Sequence, residues 1–185
     1  KKISFTINRK ADLVSSMFLE VDILYKNQIV YERTGFALID KVDIEIGGIV
    51  INEHYNRWLN IWTQLIYNKE QYKKLLHMVQ GSIQDTSLGG EIIHSSSNSI
   101  NKNMKYYIPL YFWFNRDIGY ALPLLCLQYN EVKINVTFTK KSLLFTENST
   151  SNATIDSIKL FCDYIFLDVN ERRKFLYNKH EYLID

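Results

Sequence analysis

Residues 108–138 constrain this chain more tightly than any other stretch. They read Ile-Pro-Leu-Tyr-Phe-Trp-Phe-Asn-Arg-Asp-Ile-Gly-Tyr-Ala-Leu-Pro-Leu-Leu-Cys-Leu-Gln-Tyr-Asn-Glu-Val-Lys-Ile-Asn-Val-Thr-Phe. An aromatic-rich apolar run meets a turn at Asp117-Ile118-Gly119, and both prolines of the chain, Pro109 and Pro123, lie here. A second run then alternates, with Val132, Ile134, Val136 and Phe138 on one phase and Lys133, Asn135 and Thr137 on the other. A short apolar run bounded by turn residues marks a buried strand, and period two marks a half-exposed one. The stretch reads as buried strand, connection and half-exposed strand. It holds no polar constellation able to do chemistry.

The first third of the chain alternates in the same way. Phe5–Ile7 and Met17–Leu24 read as strands joined through the charged stretch Arg9–Asp12. Gly35–Ile46 reads as another, with Val42, Ile44 and Ile46 opposed by Lys41, Asp43 and Glu45. Gly47-Gly48 ends it, because glycine supplies the positive φ of a tight turn, and Ile49–Ile51 resumes as a short strand.

The period then changes. Tyr55, Leu59, Trp62 and Ile66 fall at helical spacing, so a helix is expected over 53–66 with Asn52 as its cap and Glu53 in its first turn. Tyr72, Leu75, Leu76 and Val79 predict a second helix over 69–79, opened by Asn68 and Gln71 as a capping box. Residues 81–105 form a polar loop with room for a short strand at 91–94, and 146–156 form another polar patch. A strand at 158–167 and a short helix at 171–177, capped by Asn170, complete the chain. The lack of βαβ alternation argues against a parallel sheet and favours an all-β fold, antiparallel with a helical insertion. The expectation is one antiparallel jelly-roll β-sandwich over residues 1–185, of about eight strands, with a helical insertion at about 53–79 and a short C-terminal helix.

Composition narrows the function classes. A chain of 185 residues fits one domain, and a net charge of +2 with only short, separated basic clusters argues against nucleic acid as a direct partner. Cys126 and Cys162 sit in apolar runs and read as buried free thiols. No stretch of ~18 uncharged apolar residues marks a membrane span. Lys1-Lys2-Ile3-Ser4-Phe5 reads as mid-strand with neither initiator Met nor signal peptide, the mark of a piece of something longer.

The search for chemistry ends without a site. His54, His77, His94 and His180 show no metal-ligand spacing, so neither metal nor cofactor is expected. His54 reads as a solvated residue on the first helix, and His94 beside the serine run lacks a nucleophile elbow. Glu20, Asp22, Asp43 and Glu45 occupy polar phases of strands and read as outward solvated residues rather than an acid–base pair. Trp58 and Trp62 read as packing their helix on the sheet rather than stacking on sugars. Of three Asn-x-Ser/Thr sequons, that at Asn135 lies in a strand, whereas Asn148 and Asn152 lie in a polar loop able to take glycan.

Taken together, the segments resemble the major capsid protein of the nucleocytoplasmic large DNA viruses. The resemblance rests on Pro109, Phe112-Trp113-Phe114, Pro123 and Gln128-Tyr129-Asn130-Glu131-Val132. It extends to Gly47-Gly48 leading into a helix with Trp58 and Trp62, and to Asp163-Tyr164 followed by Glu171-Arg172-Arg173-Lys174-Phe175. It implies a structural protein with no active site, holding the first of two successive jelly rolls. Three such subunits would form a pseudo-hexagonal capsomer, contacting neighbouring capsid proteins and minor capsid proteins beneath, in a virion assembled in the host cytoplasm. The 81–105 and 146–156 loops would project from one end of the sandwich. The rival readings are a minor or penton capsid protein with a single jelly roll, and a carbohydrate-binding β-sandwich with an exposed aromatic platform. A membrane-shaping assembly scaffold of the same fold draws no support from the near-neutral charge.

Overall fold

The computed structural model describes residues 1–26, 34–80, 82–83, 103–144 and 152–184. The expected strand at 91–94, Gly89-Gly90, His94, the serine run 95–99 and Asn148 lie outside the described residues.

Two antiparallel sheets face each other. One runs in the order β1 (Lys2–Thr6), β8 (Val132–Phe138), β3 (Ile39–Ile46), β4 (Ile49–Tyr55). The other is built on the long strand β2 (Leu13–Lys26). Along one edge of β2 lie β6 (Asn103–Pro109) and β7 (Leu122–Pro123), and along the other lies β9 (Asn152–Ile165). The short β5 (Ser82–Ile83) pairs beyond β6. Alternation explains the packing: Leu19, Val21, Ile23 and Tyr25 of β2 face Val42, Ile44, Ile134 and Val136 of the other sheet, all fully buried. Within this core Tyr25 and Tyr106 satisfy each other, hydroxyl to hydroxyl at 2.8 Å. Burial raises both phenol pKa values well above the ordinary range.

The jelly-roll sandwich and the paired helices stand as the sequence predicts, with shifted boundaries. The expected strand from Gly35 begins instead as a helical turn, α1 (Thr34–Leu38). Packing decides this: a Cβ on Gly35 would stand 2.8 Å from the Val79 carbonyl at the end of α3 (Lys69–Val79). The first insertion helix, α2, covers Asn56–Ile66 rather than starting at Glu53. Asn52–Tyr55 stay in the ladder with β3, pairing Ile44 with Asn52 and Lys41 with Tyr55, so Asn52 caps nothing. The capping box of α3 forms as expected, with Gln71 N–H donating to Asn68 Oδ1 at 2.9 Å and Asn68 N–H to Gln71 Oε1 at 3.2 Å.

The aromatic run after β6 is a correction. The strand stops at Pro109, and Trp113–Arg116 coil into one helical turn, α4. Asn115 dictates this, accepting from Phe112 N–H at 3.2 Å while its amide donates to the Ser15 carbonyl. A further short helix, α5 (Lys141–Leu144), follows β8. β9 starts at Asn152, six residues before the expected 158, because residues 152–155 and Ser157 pair with the end of β2. The last helix, α6 (Val169–Tyr177), is preceded by Asp168 rather than capped by Asn170.

Candidate interaction surfaces

The α2–α3 hairpin carries the chain from β4, the edge of one sheet, to β5 and β6, the edge of the other. It closes that side of the sandwich with Leu59, Thr63, Leu75 and Val79 buried. An aromatic row lines the seam. His54 stacks on Phe112 at 5.2 Å and approaches Trp58 at 5.9 Å, and Trp58 meets Trp62 at 5.0 Å. The Arg116 guanidinium lies 4.3 Å above the Trp62 ring. His54 is thus a buried strand residue, 4% exposed, and not a solvated helical one. Trp58 and Trp62 are half-buried and Trp113 is buried, so these three tryptophans do not form an open platform for sugar stacking.

The polar phases of the central strands also differ from expectation. Asp43 is 2% exposed, and Glu20 and Asp22 are buried too; only Glu45 remains half-buried. A central strand is flanked on both sides, so long neighbouring side chains cover its outward residues. On one sheet, Asn135 donates to Asp43 at 2.7 Å and accepts from Ser4 at 2.6 Å, with Lys41 3.5 Å from Asp43. On the other, Lys159 donates to Glu20 at 3.0 Å and Ser157 to Asp22 at 2.8 Å, with Lys105 3.6 Å from Glu20. These are ladders of matched charge, with no carboxylate pair free to act as acid and base. Asn135 is buried in its network, so that sequon is closed to modification.

The other sequence-predicted residues serve turns and strand ends. Gly47 and Gly48 adopt φ of 60° and 87°, the left-handed pair of a tight hairpin, and a Cβ on Gly47 would meet Asn130 Oδ1 at 2.7 Å. Pro109 ends β6, Pro123 pairs with Leu13, and Tyr164 Oη donates to the Asn8 carbonyl at 2.9 Å. Phe112 and Phe114 stack in the core at 5.9 Å. Gln128 contributes its carbonyl, which accepts from Arg9.

Arg9 also reaches the Leu127 carbonyl at 2.5 Å and the Asn130 carbonyl at 2.8 Å, closing the turn before β8. Its role, like that of Asp12, escapes the sequence reading, where both fall in a charged connection. Asp12 accepts from Leu167 N–H at 2.8 Å and pairs with Arg172 at 2.9 Å.

Among the described residues, several surfaces remain open. Between the β1 and β9 edges lies a cleft of about 570 Å³ with apolar walls that include Ile3, Ile23, Phe138 and Ile158. At the end of the sandwich where Lys26 pairs with Asn152, and Leu24 with Asn103, the chain enters and leaves the two polar segments. Those segments are themselves largely outside the described residues. At the opposite end sit α6, the tail 178–184 and the turn carrying Tyr129, with large apolar side chains in solvent. The cysteines are free, as expected, but not both buried: Cys126 is exposed near α6 and Cys162 half-buried. Burial pushes the Cys162 thiol up to about 11, which leaves it protonated near neutral pH. Among the described residues no cluster of His, Cys, Asp and Glu could hold a metal ion, and no helix is long and apolar enough to cross a membrane.

The described residues thus form a sandwich covered on one side by its own helices and rich in exposed apolar side chains. The family model for the major capsid protein N-terminus matches residues 1–168. Over its whole length the chain is 36% identical to the major capsid protein of Pyramimonas orientalis virus, covering 45% of that protein. It is 34% identical to capsid protein 1 of Acanthamoeba polyphaga mimivirus, covering 34% of it. The subunit in the quasi-atomic capsid of the virus PBCV-1 superposes with a TM-score of 0.81 at 29% identity, over 100% of this chain and 42% of that one. The chain belongs to the major capsid protein family of large DNA viruses, a structural and non-enzymatic family. It spans less than half the length of these relatives.

Proposed function

We propose that this chain is the first of two jelly rolls in a capsid subunit, and that the subunit works by shape and adhesion alone. Three subunits form a pseudo-hexagonal capsomer, and capsomers tile an icosahedral virion assembled in the host cytoplasm. Neighbouring capsid proteins and minor capsid proteins beneath are the partners, with no direct contact to nucleic acid. One observation carries this reading: the superposition on the PBCV-1 capsid subunit extends over the whole chain. The exposed aromatic and aliphatic edges support it, since obligate interfaces are apolar and large.

The test is to express the complete reading frame and measure native mass, then image the product by cryo-electron microscopy. A trimer with hexagonal outline is expected, and a monomer at every concentration would overturn the assembly. A frame that stops near Asp185 would favour a minor or penton protein with one jelly roll instead. Asn152 is exposed at the start of β9, its amide oxygen held by Lys141, and with Asn148 it is the proposed glycan acceptor. Intact mass of the virion protein, unshifted, would remove that assignment.

A further inference from the structure

The helix α6 is a physical anomaly in this fold. A nine-residue helix is marginal in water without a buried face, yet none of its residues is buried. Polar pins hold it: Arg172 to Asp12 at 2.9 Å, and His180 against the Phe175 carbonyl at 2.7 Å. Apart from Phe175, half-buried and stacked on His180 at 5.0 Å, its apolar side chains point outward, with Tyr177 at 86% exposure and Val169 and Leu176 more than half exposed. Phe166 before the helix and Leu183 after it add to the same end, at 70% and 90%. The tail 178–184 runs at this same end, where Tyr182 Oη donates to the Ala121 carbonyl at 3.4 Å.

We infer that the outer face of α6 with its flanks, Phe166, Val169, Leu176, Tyr177 and Leu183, is the seat of the polypeptide that follows Asp185 in the full-length subunit. This rests on the reading proposed above, in which the chain is the N-terminal part of a longer subunit. The occupant is set by length and position. The matched family model is that of an N-terminus and the relatives are more than twice as long, so on that reading further polypeptide continues beyond this end. Polypeptide emerging beside exposed apolar side chains covers them at little loop-closure cost, whereas a separate molecule must give up its translational freedom.

Hydroxyl-radical footprinting of the full-length protein tests this, comparing dissociated subunits, assembled capsomers and heat-unfolded protein. The expected result is loss of reactivity at Tyr177 and Phe166 in the dissociated subunit relative to the unfolded chain, unchanged on assembly. Protection that arises only in capsomers overturns the inference and assigns the face to a second copy. Reactivity in both states also overturns it. As a second measurement, Tyr177→Asp should lower the melting temperature of the dissociated full-length subunit, and an unchanged value counts against the covered face. A reading frame that stops at Asp185 defeats this inference and the two-roll reading together. Exposed Tyr177 in a longer subunit that still forms capsomers defeats this inference alone.

Discussion

Helices α3 and α6 are similar in length and differ in what holds them. α3 has a complete capping box and sinks Leu75 and Val79 into the seam between the sheets. α6 has Asp168 before it without a side-chain bond, no buried residue, and its tether to Asp12. The difference teaches where each region finds its stability. The α2–α3 side is anchored by burial, with Leu59, Leu75 and Val79 in the seam, although Ile61 and Leu65 on the outer face of α2 stay exposed. The α6 end is held in place by polar contacts and leaves its apolar surface exposed.

The largest expected effect comes from breaking the buried seam under α2 and α3. Leu59 is fully buried where α2 lies against the sheets. Leu59→Ala removes its methyl groups and leaves a cavity, for an expected loss of about 2–5 kcal/mol in denaturant unfolding. A loss below about 1 kcal/mol would mean the seam can collapse around the gap, and that the helical side is less tightly built than its burial implies.

Next comes the tether of α6. Asp12→Ala leaves the Leu167 N–H without its acceptor and frees Arg172. The expected cost is about 1–3 kcal/mol, the desolvation penalty of an unpaired partly buried donor together with the lost charge-assisted bond. Hydrogen exchange separates the two helices in this variant: α6 amides should exchange faster while α3 amides keep their protection. Equal loss in both would show that the ends are coupled through the core. Asn68→Ala is the matching cut at α3, costing about 1 kcal/mol by removing one cap acceptor.

The legibility of this fold follows the range of its interactions. α3 is written locally, in the apolar stripe and in Asn68 with Gln71, and the structure reproduces both. β8 is equally plain in Val132, Ile134, Val136 and Phe138. The errors fall where a distant group decides. Gly35 turns helical because Val79 crowds it, and Asn115 coils the aromatic run by binding Ser15, 100 positions away in the chain. His54 stays in a strand because β3 continues the ladder past Asn52. For Glu20, Asp22 and Asp43, alternation gave the correct phase but not the burial. Whether an outward carboxylate is covered depends on which strands lie on either side, and sequence alone does not say. The interaction surfaces are hardest to read, since an exposed Tyr177 and a core Tyr106 look the same in the chain.

That same covering supplies the smallest prediction. Lys159 donates to Glu20, with Lys105 nearby, and together they hold the Glu20 carboxyl below its ordinary range. A carboxylate whose pKa is lower in the folded than in the unfolded chain adds stability above the unfolded value. That contribution fades as pH falls through the unfolded value toward the folded one, so it is present at neutral pH and lost in acid. Since Lys159 is more than half exposed, solvent screens the pair and the effect is well below that of the core variant. Urea midpoints measured from neutral pH down through the carboxylate range should fall less steeply for Glu20→Gln than for the unaltered chain. Parallel curves would show that Glu20 gains nothing from its lysines, and that the acid sensitivity of this sheet lies in other carboxylates.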